Sequence, residues 1–282
     1  RLRFRCHFRT VCDPFGEDYT LSLATITFPP LEFHHRSHER RPDGGSMERR
    51  DFLSCALAGG AASLSLVNPL TRAWAQEAPR TYARTRLVDI HGKPIVASDL
   101  TPETNYVFQY PYAATPCLLL RLAKPVAVPA SLKRQDGAAY AWQGGVGAQR
   151  SIVAFSAICA HKLAYPTREV SFIRYQPERS ATSGARVIHC CADHSVYDPA
   201  EGARVMSGPA PQPLAAIVLE HSPADDGLYA LGTVGAEQFD AFFDKYRLKL
   251  ALEYGEAKMR NLVAATSVVT EMTNYCRTTI RC

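Results

Sequence analysis

The chain lacks a strong excess of charge of either sign. Over 282 residues, Lys and Arg number 32 against 27 Asp and Glu, a formal net charge of +5, with the basic residues scattered. That excludes the concentrated basic stripe by which proteins hold a phosphate backbone, so nucleic acid is not an expected partner. The chain also lacks a long hydrophobic run. Its small and apolar stretch from Leu53 to Val67 ends at Asn68-Pro69 and falls short of the roughly 18 residues of a spanning helix, so membrane attachment is not favoured. Histidine is scarce late in the sequence, with only His221 after His194. A mononuclear iron held by two His and a carboxylate needs more, so an oxygenase catalytic site is not expected in the residues after His194. The main body has ordinary globular composition, 46% hydrophobic, enough for one or two packed domains.

Two short runs carry the chemistry: Cys159-Ala160-His161 and Cys191-Ala192-Asp193-His194. Each comes after strand-like sequence, Ser151 to Ile158 before the first and Arg186 to Cys190 before the second. Each pair therefore sits on a loop at a strand end, where two loops can close around a small inorganic centre. Two Cys and two His suit a 2Fe-2S cluster with thiolates on one iron and imidazoles on the other, or a tetrahedral zinc. A lone Cys or His in a strand-rich domain is more often a core residue than a ligand. The ordered pair of motifs is a stronger signal. Cys190 adjoins the second run and could replace Cys191, but the CxxH spacing favours Cys191.

The residues after the second run narrow the choice. Ser195-Val196-Tyr197-Asp198, Gly202 and the Gly208-Pro209-Ala210-Pro211-Gln212-Pro213 loop resemble the second cluster box and proline-rich loop of Rieske iron-sulfur proteins. The resemblance implies a 2Fe-2S cofactor, with Cys159 and Cys191 on one iron and His161 and His194 on the other. Ser195 and Tyr197 become candidate hydrogen-bond donors near the sulfurs, and Gly208 and Pro209 part of a covering loop. It implies an all-β, antiparallel Rieske-type sandwich with a cluster-binding subdomain of two loops. Three departures stand out. Respiratory members brace the two loops with a disulfide whose positions are Ala164 and Asp193 here; Ser195 and Tyr197 sit one residue closer to His194 than in the family pattern; and the spacer between the boxes is long, read as an insertion from Pro166 through Gly184 at a hairpin tip.

The start of the chain bears on compartment. Met47-Glu48-Arg49-Arg50-Asp51-Phe52-Leu53 resembles a twin-arginine export signal, succeeded by the apolar run and by Ala73-Trp74-Ala75, with Gln76 as the expected mature start. Twin-arginine export carries folded, cofactor-loaded cargo, which agrees with a cluster protein bound for the periplasm. Residues 1–46 have no helical or strand period and are read as an upstream extension outside the natural product.

The expected organisation is thus 1–46 extension, 47–75 signal, 76–235 cluster domain, and 236–282 a helix and tail. Strands are expected near 86–90, 106–110 and 117–122, a loop or hairpin over Lys133 to Gly147, and a hairpin pairing 215–219 with 228–231. Helical spacing over Ala236 to Tyr246 predicts one helix whose Phe239, Phe242 and Phe243 face meets the sheet. The tail from Lys258 is expected to wrap the domain. Of the nine cysteines, Cys117, Cys190, Cys276 and Cys282 remain once the ligands and upstream residues are set aside, and Cys276 with Cys282 is the first pairing to expect in an oxidising compartment. The resemblance implies electron transfer, as a subunit or carrier similar to the iron-sulfur subunit of quinol-cytochrome c oxidoreductases or the small subunit of arsenite oxidase. A c-type cytochrome or a membrane quinol oxidoreductase complex is the implied partner. A zinc-stabilised binding module and a ferredoxin-like oxygenase component are the alternatives.

Overall fold

Strand-forming segments alternate with Gly, Pro and Asp turns, and the chain folds as an all-β unit. A computed structural model describes residues 78–126 and 128–282. The upstream extension, the twin-arginine segment and the cleavage site at Gln76 lie outside the described residues. The strands run β1 (Arg80–Val88), β2 (Tyr106–Gln109), β3 (Pro116–Arg121), β4 (Ala130–Lys133), β5 (Ala139–Trp142), β6 (Ile152–Ser156), β7 (Val170–Ser171) and β8 (Ile173–Gln176). They continue as β9 (Val187–Cys190), β10 (Ser195–Asp198), β11 (Arg204–Ser207), β12 (Ala216–Ser222), β13 (Gly227–Val234), β14 (Thr266–Val268), β15 (Thr270–Glu271) and β16 (Thr278–Thr279).

An eight-stranded sheet is ordered β14-β1-β13-β12-β6-β3-β2-β15, and a four-stranded sheet β11-β10-β9-β8 carries the second cysteine run. Side chains alternate across a strand, so the apolar runs in β3 and β6 feed two cores at once. Leu118, Leu120, Val153 and Phe155 face one core; Cys117, Leu119, Ile152 and Ala154 face the other. The first of these cores also takes in Cys159, Ile188, Cys190 and Tyr197. That shared core locks the four-stranded sheet beside the end of β6, and so brings the two loops together.

The expected strands and the β12–β13 hairpin are present, and Lys133 to Gly147 contains the return strand of a β4–β5 hairpin. The stretch read as an insertion is more than a tip: it holds β7 and β8, and β8 pairs with β9 as the sheet edge. The tail wraps the domain through β14 on β1, β15 on β2 and β16 on β7. Both edges of the large sheet are thereby occupied by short tail strands, which leaves no long unpaired edge on it.

The C-terminal helix spans Phe239–Tyr254, later at both ends than the 236–246 spacing predicts, and Gly255 ends it at φ 83 with its N–H on the Ala251 carbonyl. Its aromatic face corrects a further expectation. Phe239, Phe242 and Phe243 pack with Ala114, Ile158 and Tyr165, so they meet the loop after Cys159 rather than an open sheet face. Tyr165 meets Phe242 edge-on at 4.9 Å between ring centroids, a favoured aromatic geometry. Phe242 is fully buried, and its truncation to Ala should cost about 3–5 kcal/mol of unfolding free energy, read by denaturant titration.

Candidate metal centre

The first loop continues β6 through buried Ala157 and Ile158 to Cys159. It is closed by the Cys159 N–H on Ala164 O at 2.8 Å and the Leu163 N–H on Cys159 O at 3.0 Å. This holds the Cys159 thiol in the core while the His161 side chain, 38% exposed, reaches the surface.

The second loop is the turn between β9 and β10, where Cys190 pairs with Ser195. The His194 N–H closes the turn on Cys190 O at 2.7 Å, and His194 itself takes the left-handed φ of 60°. Strand alternation then decides which side chains face inward. Ile188 and Cys190 lie in the core, so His189 and Cys191, offset by one, point the other way. Cys159, Cys190 and Asp193 place their donor atoms within 4.8 Å of one another. Asp193 Oδ2 accepts from the Cys159 thiol at 3.2 Å and lies 3.0 Å from His161 Nδ1, while Oδ1 accepts the Ser195 N–H at 2.9 Å.

Cys159 and His161 each contact the Asp193 carboxylate, and Cys191 and His194 stand outside that group. Cys191 forms a disulfide with Cys282, on the face of β9 that the tail covers. His194 is exposed, with its ring 5.7 Å from that of His189. His189, His194 and Cys282 make a second group whose donor atoms lie within 4.8 Å of one another. Cys276, expected to pair with Cys282, is a buried free thiol, because its side chain belongs to the core and the terminal Cys282 lies against His189. Sequence reasoning weighed Cys190 but preferred Cys191, and it missed Asp193; these are the two residues gathered with Cys159. The shortened distance from His194 to Ser195 and Tyr197 was the signal: one residue upstream, Cys190 and Asp193 show the same three-residue spacing.

Around the four donors, Tyr197 Oη lies 3.5 Å from Cys159 Sγ and accepts the Ala160 N–H at 3.1 Å. Ser195 is fully buried, and its hydroxyl makes no hydrogen bond among the described residues. Gly208, at φ 89, lies against the back of the second loop: a Cβ there would come within 2.4 Å of His194 O and 2.6 Å of Ser195 Cα. Only glycine permits that approach. Pro209 beside it is exposed.

The hydrogen bond with Cys190 draws the Cys159 thiol down to about 7, helped by Tyr197 and by the His161 and Lys162 amides against the cost of burial. The same bond, together with burial, pushes Cys190 well up. Burial works against ionisation of Asp193, but the Ser195 amide and the two thiols outweigh it and hold the carboxyl below its usual range. Burial keeps the Tyr197 hydroxyl protonated, as a donor. Two thiols and a carboxylate gathered at one point, with the His161 imidazole on that carboxylate, are a metal-binding donor set, and iron in an iron-sulfur group is among the metals such donors take. The unpaired Ser195 hydroxyl and the Tyr197 hydroxyl beside a thiol sulfur fit a group with further acceptor atoms at that point.

No protein-family model matches the chain. Among solved structures, it is similar to the soluble domain of the Rieske protein II (SoxF) from Sulfolobus acidocaldarius, with 24% identity over 54% of this chain and 78% of that one, at a TM-score of 0.40. Among the described residues no helix is long and apolar enough to cross a membrane.

Two measurements check this geometry. Non-reducing peptide mapping should recover the Cys191 and Cys282 peptides joined, with Cys276 alkylated as a free thiol. In metal-free protein, thiolate absorbance should rise as pH passes about 7 when Cys159 ionises. Because Tyr197 stabilises the thiolate, Tyr197→Phe should move that rise to higher pH.

Proposed function

We propose that the chain is a Rieske-like iron-sulfur protein that passes single electrons. Cys159, Cys190 and His161 would hold the group. The carrying observation is the layering of these donors: both thiols are fully buried, whereas His161 reaches solvent. A lone tetrahedral zinc has no need of that asymmetry. A two-iron group with sulfur ligands inward and lighter donors outward does. When bound, such a group supplies one-electron chemistry, at a potential set by ligand charge, hydrogen bonds to sulfur and burial.

The chain's own residues divide the remaining work. Cys159 and Cys190 form the inner wall, closed from water by the core around Ile188 and Tyr197. Tyr197 can donate to the Cys159 sulfur, which favours the more electron-rich state. His161 offers an exposed ring edge as the contact with a partner. That ring borders a cleft of about 520 Å³ whose walls include Arg80, Gln212, Glu237, Gln238 and Asp240. The polar walls favour a hydrophilic protein surface such as a c-type cytochrome over an apolar quinol ring. The twin-arginine-like segment before Gln76 supports work in the periplasm, and the full reading is a carrier or subunit there.

Anaerobic purification should yield a coloured protein with stoichiometric iron and acid-labile sulfide, and an EPR signal on reduction. Cys190→Ala should abolish the colour, while the double variant Cys191→Ala/Cys282→Ala should keep it. A colourless product carrying zinc on the same residues would establish the non-redox reading instead.

A further inference from the structure

We propose that the fourth ligand of the centre is the carboxylate of Asp193, which gives a set of two thiolates, one imidazole and one carboxylate in place of two imidazoles. The proposal rests on the iron-sulfur reading above and names what this chain does differently at that site.

Three observations carry it. One oxygen of Asp193 is anchored and the other is presented: Oδ1 accepts the Ser195 N–H, which leaves Oδ2 directed at Cys159 Sγ and His161 Nδ1, at 3.2 and 3.0 Å. An ion pair with His161 alone would account for the imidazole contact. It would not account for the same oxygen facing a thiol sulfur at nearly the same distance, which is how co-ligands stand around a shared centre. The carboxylate is also out of water, with its side chain 2% exposed. A carboxyl group shut away from water beside two thiols is a donor that a metal ion would balance.

The rival ligand is removed by the backbone. His194 comes directly after Asp193 in the turn, is exposed, and takes the left-handed conformation that closes the loop. Its ring is directed toward His189 and Cys282 on the far side of β9. Bringing it to Cys159 would require a slip of one residue in the β9–β10 pairing, which would also turn Cys190 out of the core.

The chemical consequence is a change of charge. A carboxylate ligand is anionic where an imidazole is neutral, so the oxidised state gains stability and the potential falls relative to a two-imidazole set. Only one imidazole, that of His161, then bonds to iron.

Pulsed EPR on the reduced full-length protein, with histidine labelled by 15N, counts the imidazole nitrogens bound to iron. One strongly coupled nitrogen is expected. Two would overturn the proposal while leaving the iron-sulfur reading intact; absence of any paramagnetic cluster would overturn both. His194→Gly should leave the single coupling unchanged, and loss of a coupling in that variant would equally overturn the proposal. Asp193→His should add a second coupling and raise the reduction potential. Should that variant fail to fold, the count in the unsubstituted protein still decides.

Discussion

The pairing of Cys190 with Ser195 is the constraint on which the site depends. It fixes the parity of the strand leading into the second loop, and parity decides which of two adjacent cysteines enters the core. Cys190 goes in with Ile188 beneath it. Cys191 goes out with His189, where Cys282 captures it. A sequence with two neighbouring thiols thus assigns them opposite duties without any change of residue type: one faces the candidate centre, and the other fastens the end of the chain.

That constraint is itself held by packing from three sides. The core shared by β3, β6, β9 and β10 sets the distance between the loops, since Leu118, Phe155, Ile188 and Tyr197 all belong to it. The C-terminal helix closes the other side of the first loop through Tyr165. Behind the second loop, the bare Cα of Gly208 lets the proline-rich segment come against His194 and Ser195. Each support is apolar or steric. The polar atoms are left to organise the donors: the Ser195 amide fixes Asp193, and Tyr197 bridges the Cys159 sulfur and the Ala160 amide.

Much of this was legible from residue order. The strands around Tyr106, Cys117 and Ile152, the hairpin around Asp225-Asp226-Gly227 and the aromatic helix come from period and turn chemistry, and the first motif falls on the loop after β6 where the sequence placed it. The second motif misled because Cys191 to His194 and Cys190 to Asp193 have the same spacing, and a match on residue type prefers His to Asp. Register, unlike spacing, is a property of a paired strand. It can be read only by counting back from Ser195 and Tyr197, whose early arrival after His194 records the one-residue offset. The partner of Cys282 was illegible for a related reason: the tail reaches Cys191 by adding β16 to β7, a long-range pairing that local pattern does not encode.

The bond between Cys191 and Cys282 bears on why the site can dispense with the loop-to-loop disulfide of the family it resembles. Counted from Cys190 rather than Cys191, the second position for that bridge falls on Ala192 instead of Asp193, and Ala192 carries no thiol to form it. The chain instead ties the second loop to its own terminus, across a sequence separation of 91 residues. In the chain-entropy account, closing a loop of that size disfavours the unfolded state by roughly 4–5 kcal/mol, so stabilisation of the unit as a whole need not suffer from moving the brace. What differs is its position. A bridge between the two loops would sit among the donors, whereas this one lies on the opposite face of β9, beside His189, so the donor group is left to the hydrogen bonds of Ser195 and Tyr197. The donor arrangement is then set by strand parity and core packing, with the covalent link securing the strand from behind.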